Sequence, residues 1–504
     1  MKESKETPST PLPIHDVDEI FDRTSHYGRY QLFMLLVIQY LMMNAAGNYV
    51  FISFASLKPI CGDSSIRTSD ACELMSECPA NATEVLFASL YDGDIVCPHS
   101  HLPQHLQTIQ AVGSGFGAIL AGHIADYYGR KWVTYSGAVQ MTLFGFMGAF
   151  ALSWHMLAFA MLGMGFSYGV LIDASMTLAC ETAGKKYRIV QTLAFQWSLA
   201  LQVASLCAYL TGSWRGYLFT VNALSLPALA LMLLWVESPR WLIQKKRYDE
   251  AVRNINRISR CNGCETMFCA SDLLPIKVTE EHRTTFFWIG ALVSTRKFLA
   301  YSFVMFTSAL TVEMCVAVII FDVQVLAGNP FLNVALYGIL RLWVPLFIVL
   351  LEANAKWFGR RTLFISSQCL TVMCFASVII LSLFPPTQSV TVLRTCLAML
   401  GGIINSSIFF TVYKQYVMEL YPTVIRALAV GAFGVVERIG GAIAPQLVNM
   451  NRWAWAESAV AITTTVVFIS LLSGWAILPE TRNSSIPDVL ELDQKKRLSR
   501  SCTK

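Results

Sequence analysis

Gly122-His-Ile-Ala-Asp126-Tyr-Tyr-Gly129-Arg130-Lys131 closes one long apolar segment, and Lys356-Trp-Phe-Gly359-Arg360-Arg361 closes another. Arginine and lysine at the end of an apolar span cannot enter hydrocarbon, so they fix that end on the cytosolic side. The same turn at corresponding places predicts a six-helix unit present twice, which is the plan of a membrane carrier.

The composition agrees. The chain has 504 residues, of which 55% are hydrophobic and 14% charged, whereas a soluble domain carries about 25% charge. This predicts an all-α integral membrane protein. The net charge of +5 is accounted for by basic loops on one side of the bilayer and requires no nucleic-acid partner. Residues 1–29 are polar with mixed charges, unlike a cleavable signal, which has a basic start and an immediate apolar core. The first span is therefore expected to remain as a helix.

A span needs about 20 apolar residues. Six are predicted at Tyr30–Phe54, Leu106–Ala125, Trp132–Ala151, Met156–Ala179, Val190–Thr211 and Tyr217–Val236. Six more are predicted at Phe298–Phe321, Val334–Leu351, Leu363–Phe384, Leu393–Val412, Ala427–Leu447 and Ala459–Leu478. The expected fold is twelve transmembrane helices in two pseudo-symmetric six-helix bundles, residues 30–236 and 298–478. The bundles are flanked by tails at 1–29 and 479–504 and joined by a central loop at 237–297.

Alternate loops hold Arg130 and Lys131, Lys185, Lys186 and Arg188, Arg240 to Arg260, Lys356, Arg360 and Arg361, and Arg426. The opposite loops are poor in both residue types. The first of them, about 55–105, is acidic, with Asp63, Asp70, Glu73, Glu77, Glu84, Asp92 and Asp94. The positive-inside bias predicts that both termini and the central loop are cytosolic. The acidic loop then lies outside, where its Cys61, Cys72, Cys78 and Cys97 can form disulfides in one of three pairings. It also carries the glycosylation sequon Asn81-Ala-Thr83. A second sequon, Asn483-Ser-Ser485, falls in the cytosolic tail and is expected to be unused. Cys261, Cys264 and Cys269 lack the second pair or histidine that zinc needs, so they read as reduced thiols. The aromatic and basic segment Thr284 to Lys297 is expected to lie along the inner membrane surface.

Further signals repeat between the halves. Glu181 and Arg188 bracket six residues after the fourth span, as Glu419 and Arg426 do after the tenth. Glu237-Ser-Pro-Arg240 follows the sixth span, and Pro479-Glu480-Thr481 follows the twelfth. Asp126, Arg130, Glu181 and Arg188 are expected to form one charge cluster, and Arg360, Glu419, Arg426 and Glu480 the other. Such clusters suit two-state gating elements.

On these motifs, with Glu237-Ser-Pro-Arg-Trp241, Glu419-Leu-Tyr-Pro-Thr423 and the cysteine-bearing first loop, the chain resembles the organic ion transporters of solute carrier family 22, within the major facilitator superfamily. The resemblance covers about Phe21 to Thr481. It implies alternating access around a central site, with uptake or exchange of small organic ions and no ATP hydrolysis. The chain departs from the family pattern in four places. Lys356 stands where the second basic turn usually has an acid. Phe159, before Gly163, stands where an arginine is common. Val312-Glu313-Met314 replaces an aromatic pair, and the first loop is shorter than usual.

A charge within a membrane helix costs roughly 2.5–3.5 kcal/mol, which makes it a functional candidate. Arg438 is the foremost. Gly434, Arg438, Gly441 and Pro445 share one helix face, and guanidinium grips carboxylate or sulfate with two bonds. In the resembled family, anion and carnitine-type carriers tend to have arginine here and cation carriers aspartate. Glu313 is expected to neutralise Arg438, to bind the cationic end of a zwitterion, or to carry a coupling proton. Lys414, near its helix end, either snorkels to the interface or meets substrate. Gln196 and Trp197 are candidates for a hydrogen bond and an aromatic wall. Asp173 and Arg341 read as outer-end residues or interhelical partners.

The expected function is transport of small organic ions at the plasma membrane by alternating access, favouring anions or carnitine- and betaine-like zwitterions. The partners are the lipid bilayer and a coupling ion or counter-substrate. The alternatives are a cation carrier using Asp173, Glu313 and Glu437, and a non-transporting sensor or vesicle protein of the same fold. The sequence shows no nucleotide loop, metal motif or nucleophile constellation, so no enzyme activity and no cofactor is expected.

Overall fold

The computed structural model describes residues 19–21, 27–58, 60–61, 72–73, 83–84, 87–91, 97, 101–184, 197–264, 267–273, 289–321, 328–354, 359–385, 387–421, 423–451, 454–455 and 457–481. The first bundle comprises α1 (Arg29–Ala55), α2 (Leu102–Tyr128), α3 (Arg130–Ala149), α4 (Trp154–Glu181), α5 (Trp197–Thr211) and α6 (Trp214–Met232). The second comprises α7 (Arg296–Phe321), α8 (Pro330–Asn354), α9 (Arg360–Leu381), α10 (Gln388–Leu420), α11 (Thr423–Met450) and α12 (Ser458–Ile477). Among the described residues, eight helices are long and apolar enough to cross a membrane by themselves. The basic turns Gly129-Arg130-Lys131 and Gly359-Arg360-Arg361 lie at one end of the molecule, here the basic end. The described residues of the first loop lie at the other, here the loop end.

In hydrocarbon a buried polar group must find its partner inside the protein. In the first bundle, Asn44 and Asn48 are one helical turn apart on α1 and face Asn222 of α6. Asn44 Nδ2 and Asn48 Nδ2 donate to Asn222 Oδ1 at 2.9 and 3.0 Å, and Asn222 Nδ2 donates to Asn48 Oδ1 at 3.0 Å. Glycines set the spacing of α2 and α4. A Cβ at Gly117 would run into the Phe166 carbonyl, and one at Gly165 into the Gln110 carbonyl. The two backbones therefore touch, as small residues four apart permit in membranes.

The tenth span runs farther than the apolar pattern predicts, to Leu420 instead of Val412. The polar residues after Val412 do not end the helix because they are satisfied inside the bundle. Lys414 Nζ lies 2.5 Å from Glu437 Oε1, and Gln415 accepts from Arg360. A π-helical stretch, Ile404–Phe409, interrupts α10.

At the loop end, β1 (Ile60–Cys61) pairs antiparallel with β2 (Thr83–Glu84). Cys72 is bonded to Cys97, which is compatible with only one of the three pairings of the four cysteines. The loop is stitched to the bundle by Ala88 N donating to Gly212 O at 2.8 Å and Trp214 N donating to Ala88 O at 3.0 Å. In the central loop, Ser238 caps a short helix, Pro239–Gln244, and Tyr248–Cys261 forms an amphipathic one.

The bundles meet along α2–α11 and α5–α8. At the loop end this contact is tight. Thr108 Oγ1 donates to Ala442 O at 3.1 Å, and Gln446 Nε2 donates to Thr108 Oγ1 at 2.8 Å. Ser205 Oγ donates to Phe331 O at 2.7 Å, and the Phe331 ring packs against Phe54, Phe87 and Tyr209 at 5.6–6.1 Å. Halfway along, a Cβ at Gly115 would lie 3.7 Å from Arg438 Cβ. Toward the basic end, the space beside Gly122 of α2 and beside Gly431 and Gly434 of α11 is open. The molecule is thus closed at the loop end and open at the basic end.

Candidate functional site

The cleft between the bundles ends at Arg438. This side chain is half-buried, and its guanidinium carbon lies 5.1 Å from the centre of the Tyr168 ring, a cation–π arrangement. Tyr168 is one wall of an aromatic cluster. Its ring lies 5.2 Å from Tyr49 and 6.0 Å from Trp197, and Tyr49 lies 5.4 Å from Trp197, edge to face. Tyr49 comes from α1, Tyr168 from α4 and Trp197 from α5, so the first bundle supplies the aromatics and the second supplies Arg438.

Gly440 and Gly441 allow this meeting. A Cβ on Gly440 would lie 3.0 Å from the Leu310 carbonyl, so α7 packs directly on α11. A Cβ on Gly441 would lie 3.2 Å from the Tyr49 hydroxyl and 3.7 Å from Glu313 Oε2. The glycine thus leaves a gap bordered by a phenol and a carboxylate. Glu313 and Arg438 act on each other electrostatically, as do Asp173 and Arg438. Asp173 is exposed to solvent, which places it on the open wall.

Lys414, left between the interface and a substrate contact, is ion-paired to Glu437, which is 7% exposed, and its ammonium lies 5.4 Å from the rings of Phe410 and Tyr413. Helix α10 continues beyond it to Leu420. Glu437 therefore pairs with Lys414 rather than with its neighbour Arg438. Arg341 donates to the Ser406 carbonyl in the π-helical stretch at 3.0 Å. Phe159, where the family pattern has arginine, is 59% exposed and packs on Phe144 at 5.8 Å.

At the basic end the repeated charges pair within each bundle. Arg130 binds Asp126 at 2.5 Å and Glu181 at 3.5 Å, and Arg360 binds Glu419 at 3.0 Å. Glu237 and Glu480 play matching parts. Glu237 Oε1 accepts from the amides of Arg130 and Lys131 at 2.9 and 3.1 Å. The Glu480 carboxylate accepts from Arg360 N at 2.9 Å and Arg361 N at 3.1 Å. Each carboxylate satisfies orphan amides at the start of a helix, α3 or α9. Burial raises the pKa of Glu237, and its bonds to the Ser238, Lys131 and Arg130 amides oppose that rise. Gln196, Arg188, Asn81 and Cys78, with the side chains of Cys61 and Arg426, lie outside the described residues.

Tyr49 and Tyr168 were not among the residues expected from sequence. The signals were available. Tyr49 follows Asn44 and Asn48, the polar stripe that marks the inward face of α1. Tyr168 sits between Gly165 and Gly169, where α4 approaches α2.

Residues 98–445 match the Major Facilitator Superfamily model, and the chain belongs to that superfamily. Solute carrier family 22 member 3 of Rattus norvegicus is 29% identical over 409 residues, 79% of this chain and 70% of the relative. Organic cation/carnitine transporter 2 of Homo sapiens is 27% identical, over 75% of this chain and 67% of the relative. Within that superfamily the chain is similar to these members of solute carrier family 22, at modest identity. In fold it is similar to the E. coli xylose transporter XylE in its inward-open conformation, with a TM-score of 0.64 at 16% identity, covering 91% of this chain and 98% of XylE. It is a membrane transporter, not an enzyme.

Proposed function

We propose that this carrier moves small organic anions or zwitterions, with a substrate carboxylate held by Arg438. The placement of Arg438 supports this reading. It is the arginine at the meeting point of the two bundles, at the closed end of an open cleft, and its guanidinium lies against an aromatic wall. In a zwitterion the cationic end would face Glu313 and the cage of Tyr49, Tyr168 and Trp197. Rocking of the bundles about this point, with the loop-end contacts breaking as the basic end shuts, exposes the site alternately to the two sides. The reading includes residence in the plasma membrane with both termini in the cytosol, the ion pairs of Arg130 with Asp126 and Glu181 and of Arg360 with Glu419 acting as gates, and a counter-substrate or coupling ion.

A second reading rests on the same cage. Three aromatic rings beside Glu313 and Asp173 would suit an organic cation, and three relatives carry that class in their names. Uptake of labelled carboxylates, betaines and organic cations, in wild type and Arg438→Asp, separates the two. Carboxylate or betaine uptake that is lost or reversed toward cations in the variant supports the first. Cation uptake indifferent to the variant supports the second.

A further inference from the structure

At the basic end, Lys131 of α3 and Arg257 of the central-loop helix Tyr248–Cys261 converge on the end of α6. Lys131 Nζ donates to Leu233 O at 3.2 Å, and Arg257 donates to Leu234 O at 3.0 Å. The two cations thus cap successive carbonyls, and Lys131 feels the charge of Arg257, opposed by that of Glu237. Among the described residues neither has a carboxylate partner within ion-pairing distance. Glu237, the nearest acid in sequence to Leu234, has its carboxylate bonded to three backbone amides.

Two like charges held together without an ion-paired carboxylate form an anion site, and the surroundings indicate the anion's source. Leu233, Leu234 and Trp132 are 52%, 51% and 57% exposed, and Lys131 Nζ lies 5.2 Å from the Trp132 ring. Bare leucines beside a tryptophan at a span's end mark the level where hydrocarbon gives way to headgroups. The helix carrying Arg257 turns Ala251, Ile255 and Ile258 inward, while Arg253 and Arg260 are exposed and lie one turn before and after Arg257. A free anion would meet a half-apolar surface here. A phospholipid would place its chains along Leu233 and Leu234 and its phosphate between the two cations.

We propose that Lys131 and Arg257 bind the headgroup phosphate of an anionic phospholipid, with Arg253 and Arg260 adding to its attraction. The lipid would tie the central-loop helix to the first bundle through α3 and α6. This site lies apart from the transport cleft and does not depend on which substrate is carried.

The test uses full-length protein in phosphatidylcholine bilayers with or without phosphatidylserine, with co-purified lipid counted by native mass spectrometry. Wild type is expected to retain phosphatidylserine, and Lys131→Gln with Arg257→Gln to weaken that retention about 30-fold, the worth of two basic contacts. Should the double variant fail to insert, Arg257→Gln alone is expected to weaken it about fivefold. Undiminished retention in whichever variant folds would overturn the proposal. So would equal displacement of the lipid by soluble glycerophosphoserine, since the site would then recognise a free anion.

Discussion

Replacing Arg438 with alanine tests the transport reading most directly. A charge-assisted hydrogen bond to guanidinium contributes about 1.5–3 kcal/mol, and Arg438 offers a carboxylate two of them from a half-buried position at the closed end of the cleft. Taking one such contribution as the net worth of the pair, loss of the side chain should raise the apparent KM for a carboxylate about 10- to 150-fold. Arg438→Lys keeps the charge and loses the fork, so it should fall between wild type and alanine. The alanine variant should also gain something. The guanidinium beside Tyr168 would be gone, leaving the rings of Tyr49, Tyr168 and Trp197 facing Glu313 with no competing cation. Quaternary ammonium compounds should then bind where wild type excludes them. Initial uptake rates against concentration, normalised to surface-labelled protein, provide the assay. Carboxylate KM unchanged within twofold in a variant present at the surface would refute the role given to Arg438.

Lys414→Ala strands the buried Glu437 and should destabilise the protein by about 3–5 kcal/mol. Adding Glu437→Gln should recover much of that, with both read as melting temperature in detergent. Gly165→Val forces a side chain into the Gln110 carbonyl and should abolish folded protein at the surface, whereas Gly122→Ala, in open space, should be tolerated; immunoblots of surface protein decide. Asn81→Gln should remove a glycan, seen as faster migration on a gel, if the first loop is extracellular as proposed.

The fold was legible because hydrocarbon imposes long apolar runs and charges mark their ends. Arg130 and Arg360 needed no tertiary knowledge to place. The end of the tenth span was placed too early because run length measures apolarity. Apolarity stops predicting helix length where a buried partner such as Glu437, 23 positions away, satisfies the polar group. The site was half legible for a related reason. Arg438 and Glu313 stand out because charge is rare in a span. Tyr49 and Tyr168 do not, because aromatics are common in spans and only the bundle geometry distinguishes a cavity wall from a lipid-facing ring.

The repeated acids at the basic end show how duplication is used. Glu237 and Glu480 follow the last helix of their bundles, and each bonds the first amides of the third, α3 or α9. Their partners are backbone groups within one bundle, so they brace it as a rigid body. The contacts that must break for the cleft to reverse are those at the loop end, where Thr108, Gln446 and Phe331 join the bundles. Different consequences follow for the two sets. Glu480→Ala leaves the Arg360 and Arg361 amides without their carboxylate and should lower melting temperature, with little effect on which side of the cleft is open. Gln446→Ala removes the bond to Thr108 and should leave melting nearly unchanged while raising the labelling of a cysteine placed in the cleft by an impermeant thiol reagent from the loop end. A shift in labelling from Glu480→Ala as large as that from Gln446→Ala would mean that the basic-end carboxylates take part in the reversal itself.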